Sequence, residues 1–140
     1  MDRDPSLLPL PDDGPVQRPF WDAAKDGKLV FQRCQNCNHA FLPGREECPR
    51  CLKPDLVWEE ASGRATLYSW VVYYRPYGEA YKSRVPYTVG IVVLEEGPRF
   101  ASNIVDVADP EALEIDQPLE LKIEVDDGIA IPRFKPAVAV

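Results

Sequence analysis

Residues 34–51 read CQNCNHAFLPGREECPRC, two Cys-x-x-Cys pairs separated by ten residues. Two residues between thiols let both sulfurs of a pair face one ion from a tight turn. Two such turns on facing hairpins then complete a tetrahedral cage. Cys34, Cys37, Cys48 and Cys51 are the only cysteines of the chain, so none is left over as a nucleophile. A cage of four thiolates has no open position, and closed sites are structural. Zinc is the expected ion, with iron as the alternative, because rubredoxin-type iron sites use the same ligands. A thioredoxin-like redox motif would need a single pair at a helix start. Asn38 follows the first pair and tolerates the left-handed backbone of such turns, and Pro49 stiffens the second. His39 is the only histidine. With four cysteines filling the coordination sphere, it is expected to pack or face solvent.

The flanks of this stretch, LVFQR at 29–33 and DLVWEE at 55–60, alternate apolar and polar residues as short strands do. Upstream, PFWDAAKDGK at 19–28 predicts a short helix. Pro19 suits its first turn, Asp22 suits the positive end of the dipole, and Gly27 can end it. Phe20 and Ala24 share one face, and Trp21 is expected to pack on the rest of the domain rather than anchor a partner. Residues 1–18 hold Pro5, Pro9, Pro11 and Pro15 with Asp2, Asp4, Asp12 and Asp13, which predicts an extended or disordered arm or linker.

Downstream, strands are expected at 65–75, 87–95, 99–107, 119–126 and 129–135. Leu119, Leu121, Ile123 and Val125 alternate with Glu120, Lys122 and Glu124, as in a strand with one wet face. Asp109-Pro110 predicts one helical turn over 109–113. Three strands, a short helix and two strands make a five-stranded OB-fold barrel, with a small sandwich as the alternative. The chain thus reads as mainly β. The expected domains are an arm at 1–18, helix plus ribbon at 19–60, barrel at 61–136 and a tail at 137–140.

A net charge of −7 and a pI near 4.7 are a poor start for binding nucleic acid. No stretch is long and apolar enough to span a bilayer, and residues 1–10 lack the apolar core of a signal peptide, so a cytoplasmic location is expected. No phosphate loop, GxSxG elbow or nucleophile–base set occurs, so no catalytic residue is assigned. One segment departs from simple core and surface, YYRPYGEAYKSRVPY at 73–87. Aromatic faces stack on bases or partners and cations bind phosphates. Tyr74, Arg75, Tyr77, Tyr81, Lys82 and Arg84 are therefore candidates for ligand or partner binding. The competing reading is a loop whose tyrosines pack on the barrel.

The blocks PFWDAAKDGKLVFQRCQNCNHAFLPGREECPRC, GRATLYSWVVYYRP and VPYTVGIVVLEEGPRFASNIVD together resemble the zinc-ribbon/OB-fold proteins long catalogued as a domain of unknown function. The resemblance runs from residue 19 to about 136. It implies an N-terminal helix, a rubredoxin-like zinc ribbon and an OB barrel, with Cys34, Cys37, Cys48 and Cys51 as the metal ligands. It also implies a role. Relatives are non-catalytic subunits that hold a thiolase-like enzyme, and some are fused to an enoyl-CoA hydratase in steroid side-chain degradation. The expected partners are a thiolase-like enzyme in a hetero-oligomer, with a hydratase subunit and acyl-CoA stacked on the tyrosine segment as further candidates. The alternative function is a single-stranded nucleic-acid binder, which the charge opposes.

Overall fold

The computed structural model describes residues 3–137. Helix α1 spans Arg18–Lys25, with Pro19 in its first turn. Gly27 (φ 79°) takes the left-handed turn that ends it, and the Gly27 and Lys28 amides return to the Ala24 and Ala23 carbonyls. Phe20 and Ala24 form the buried face, as their i, i+4 spacing requires. Trp21 meets Phe20 edge-on at 5.1 Å and is itself half-buried against the core.

Three short strands follow as one antiparallel sheet. β1 (Val30–Cys34) lies between β2 (Ala40–Phe41) and β3 (Leu56–Glu60). The barrel then comprises β4 (Arg64–Tyr73), β5 (Tyr87–Leu94), β6 (Arg99–Ile104), β7 (Pro118–Asp126) and β8 (Ile129–Pro136). It closes in the order β4-β5-β6-β8-β7, with β6 and β8 parallel and the other neighbours antiparallel. This is the five-stranded barrel expected of an OB-fold. A one-turn 3-10 helix, Pro110–Ala112, sits between β6 and β7. The Asp109 carboxylate caps it by accepting from the Glu111 amide at 3.0 Å.

Two strands end two or more residues before the sequence reading, and β5 ends one residue early, at Leu94. β4 stops at Tyr73, ahead of Pro76, which can donate nothing to a ladder. β6 stops at Ile104, because Asp106 turns left-handed (φ 57°). The arm differs more. Residues 3–17 hold no helix or strand, yet they do not float. Leu8 is buried with Ala80 and Ile129, and its amide donates to the Asp127 carboxylate at 2.7 Å. The Arg3 guanidinium donates to the carbonyls of Leu8 (2.6 Å) and Asp127 (3.2 Å). The arm, expected to be extended or disordered, is tied to the β7–β8 turn by residues 119 and 124 positions away in sequence. Of the expected tail only Ala137 is described, and its amide donates to Pro118 O at 3.0 Å. Residues 1, 2 and 138–140 lie outside the described residues.

One buried cluster joins the ribbon to the barrel. Phe20, Leu29 and Phe31 from the helix–ribbon part meet Leu67, Leu94 and Phe134 of the barrel. Gly90 lies in this core with no room for a side chain. A Cβ there would stand 2.8 Å from Ile104 Cγ1 and 3.1 Å from Leu67 Cδ1. Gly90→Ala should cost about 1–2 kcal/mol in a urea titration, since Ile104 can yield only in part. No helix of the described residues is long and apolar enough to cross a membrane.

Candidate metal centre and the tyrosine loop

The two cysteine pairs are built alike. In the first, Asn38 N donates to Cys34 O (2.9 Å) and Cys34 N to His39 O (2.9 Å). In the second, Leu52 N donates to Cys48 O (2.8 Å) and Cys48 N to Lys53 O (2.9 Å). The residue after each second cysteine is left-handed: Asn38 at φ 67° and Leu52 at φ 65°. β1 delivers the first knuckle, and β3 begins just past the second.

These turns bring all four Sγ atoms within 4.8 Å of one another. Cys34 Sγ lies 3.5 Å from Cys51 Sγ, and Cys37 Sγ 3.6 Å from Cys48 Sγ. Four thiolates around one ion at about 2.3 Å have tetrahedral edges of about 3.8 Å, so the cage fits such an ion. Four clustered thiolates also need charge relief, and the knuckles supply it. Cys34 Sγ accepts from the amides of Asn36 (3.3 Å) and Cys37 (3.4 Å), and Cys48 Sγ from Arg50 N (3.4 Å). The Asn36 side-chain amide donates to Cys51 Sγ at 3.4 Å and is the chief cause of a Cys51 thiol held down to about 6. Such donors tune the ligands rather than bind the ion.

His39 stays out of the cage and stacks on Phe41 at 5.6 Å. Sequence reasoning missed two residues, Asn36 and Leu52. Leu52 could have been found from the repeat, since it occupies the place that Asn38 holds in the first knuckle. A leucine there is 68% exposed and carries left-handed strain. Leu52→Gly should raise stability by roughly 0.5–1 kcal/mol, read as a higher thermal midpoint at unchanged metal content.

The tyrosine loop divides into two parts. Tyr81, Tyr87 and Tyr73 stack in series, at 5.8 Å and 5.2 Å, and Tyr77 meets Tyr73 edge-on at 5.7 Å. Burial pushes the Tyr87 hydroxyl above its ordinary range. The faces of Tyr81, Tyr87 and Tyr73 are thus already used on one another. Arg84 is also committed. It donates to Asp126 (2.7 Å), Asp127 (3.1 Å) and the Ala80 carbonyl. Lys82 pairs with Glu79 at 2.7 Å in water. Of the six candidates, only Tyr74 (73% exposed), Tyr77 (71% exposed) and Arg75 point outward without a charged partner among the described residues.

Residues 21–57 match the family model described as the ChsH2 rubredoxin-like zinc ribbon domain, and residues 58–124 that of the ChsH2 C-terminal OB-fold domain. A DUF35 domain-containing scaffold protein of Methanothermobacter thermautotrophicus is 36% identical over 113 residues, covering 76% of this chain and 84% of the relative. The chain belongs to the DUF35 family. This DUF35 chain is also 39% identical over 121 residues to a probable enoyl-CoA hydratase alpha subunit of Thermomonospora curvata. That match covers 85% of the chain but spans only 37% of the relative's length. Among solved structures, a chain of the Ltp2-ChsH2(DUF35) aldolase superposes with a TM-score of 0.81 at 35% identity, over 92% of this chain and 100% of that one. A Sulfolobus solfataricus DUF35 protein shares the fold at 18% identity and a TM-score of 0.62. The four cysteines lie in the zinc ribbon domain, positioned for metal binding, and the OB barrel follows.

Proposed function

We propose that this DUF35 chain is a non-catalytic docking domain that binds and stabilises a thiolase-like enzyme acting on acyl-CoA. The observation that carries it is the superposition on a whole chain of an aldolase complex at 35% identity. The composition of the chain agrees. Its thiols are gathered in one cage, its sole histidine stacks on Phe41, and its carboxylates mostly lie in loops and turns outside the strands, so the described residues hold no nucleophile–base pair. The ion is zinc, held by Cys34, Cys37, Cys48 and Cys51 to fix the ribbon. The hydratase name of the Thermomonospora relative favours an acyl-CoA setting, with a hydratase subunit as a further member of the assembly.

The test is co-expression with a thiolase-like enzyme of the same organism, followed by size-exclusion chromatography and metal analysis. A co-eluting complex with about one zinc per chain supports the proposal. A chain that elutes alone from a folded, active partner would refute it. So would turnover of an acyl-CoA ester by the purified chain.

A further inference from the structure

The second half of β4 has a free side. β7 pairs with β4 only over Arg64–Thr66. The last backbone bonds on that side are Leu67 N to Gln117 O (3.1 Å) and Asp116 N to Leu67 O (2.7 Å). From Ser69 to Tyr73 the strand pairs with β5 alone, in the register Ser69↔Ile91 to Tyr73↔Tyr87. Among the described residues nothing hydrogen-bonds its other side. A bulge between Leu67 and Ser69 marks where the strand leaves its β7 partner.

Proteins usually blunt such an edge with a charge or a proline. Here Tyr68-Ser69-Trp70-Val71-Val72-Tyr73 has neither. The sheet beside it is apolar on the wrong face for a strand in water. On β5 the inward residues Thr88, Gly90, Val92 and Leu94 are buried, but the outward ones, Tyr87, Val89, Ile91 and Val93, are apolar too and only half-covered. Val71, 54% exposed, pairs with Val89 and extends this face to the free edge.

Charge marks the two ends. Arg99 lies over the Tyr68 ring at 4.3 Å, and Arg75 follows the strand. Neither has a carboxylate partner among the described residues, and no acidic residue occurs between Arg64 and Glu79 in a chain of net charge −7. Unpaired backbone groups fit an extended strand, apolar outward faces fit alternating apolar side chains, and free arginines at the ends fit carboxylates.

We infer that the Ser69–Tyr73 edge of β4 receives a β-strand from the thiolase-like partner, a strand of alternating apolar residues flanked by acidic ones. This rests on the docking role proposed above and names its surface. A second copy of this chain is the less suited occupant, because its own edge would bring arginines rather than carboxylates.

The experiment is residue-resolved hydrogen exchange on the chain alone and in its co-expressed complex, alongside affinities for Val71→Glu and Arg75→Glu. Alternate amides within 69–73 should exchange freely in the lone chain and slow in the complex. Val71→Glu should weaken the complex by roughly 30-fold, as loss of a central contact does, with the metal content and melting of the free chain unchanged. If the complex forms and these amides stay fast, the edge is not the surface, although the docking role stands. If no complex forms, both fall. If the edge amides are already protected in a lone chain that sediments as a dimer, the occupant is a second copy and the inference is wrong.

Discussion

Removing the metal, by chelation or by Cys48→Ser, should unfold the ribbon and depress the thermal midpoint of the whole chain. The reason lies in how little else holds residues 34–56. Their own buried cluster is Cys34, Phe41 and Cys48, with Cys37, Cys51 and Leu56 at its margin. Four of those six are the clustered cysteines. A structural zinc supplies an apparent 10 kcal/mol or more at neutral pH, comparable to the whole stability of a small domain. Without it, four thiols are left together with nothing to oppose their separation. The effect should spread, because Leu29 and Phe31 precede the first knuckle and are buried in the core shared with Leu67 and Phe134. Calorimetry with and without a strong chelator would measure the loss, and elemental analysis would count the ion. Full loss of metal with an unchanged melting curve would contradict a structural role. A colourless protein with one zinc would separate zinc from iron.

Arg84→Ala should be the costliest change in the tyrosine loop, at about 2–3 kcal/mol. That lies between the value of a surface pair and that of a buried one, as suits side chains about a quarter exposed. Arg84 ties the loop after β4 to Asp126 and Asp127 at the β7–β8 turn, and Asp127 in turn holds Leu8 of the arm. Its loss leaves Asp126 to Arg133 alone at 2.9 Å. The Arg84 guanidinium holds the Asp126 carboxyl below the usual carboxylate range, with Arg133 adding to it. A carboxylate depressed in the folded state stabilises the fold above its unfolded value, near pH 4, and loses that contribution as pH falls through the folded one. The gap between wild type and Arg84→Ala should therefore be full at pH 6 and shrink at pH 3. Denaturant titrations at both values would show it. A gap that widens in acid would mean that Asp126 is not the partner that matters.

The features legible in sequence are those fixed by local chemistry. Two Cys-x-x-Cys pairs ten residues apart read as two facing knuckles, and the alternation of Leu119 to Val125 reads as a strand, although of that face only Leu119 is buried and Val125 stands 76% exposed. What escaped depends on residues far apart in the chain. Arg84 reads from sequence as a candidate for ligand or partner binding, and its engagement by Asp126 and Asp127, 42 and 43 positions on, forms only once the barrel closes. Proline and aspartate give the arm's extended or disordered character, but its course is decided by Leu8 and the distant Asp127. The open side of β4 was hidden for the opposite reason. A strand's sequence tells which face is apolar, but whether a neighbour lies beside it is a property of the closed sheet.

The shared cluster of Phe20, Leu29 and Phe31 with the barrel sets a rule for chimaeras. Two family profiles meet between residues 57 and 58, yet that junction is no natural seam. A ribbon transplanted from a relative without its own contacting aromatics would leave a hollow at the foot of the recipient barrel. A barrel expressed from residue 58 onward would uncover Phe100, which Phe20 meets at 5.8 Å, and tend to precipitate. Inheritance of the two halves is thereby linked, because Phe20 of the helix meets Phe100 of the barrel at 5.8 Å and a change at either invites a compensating change at the other.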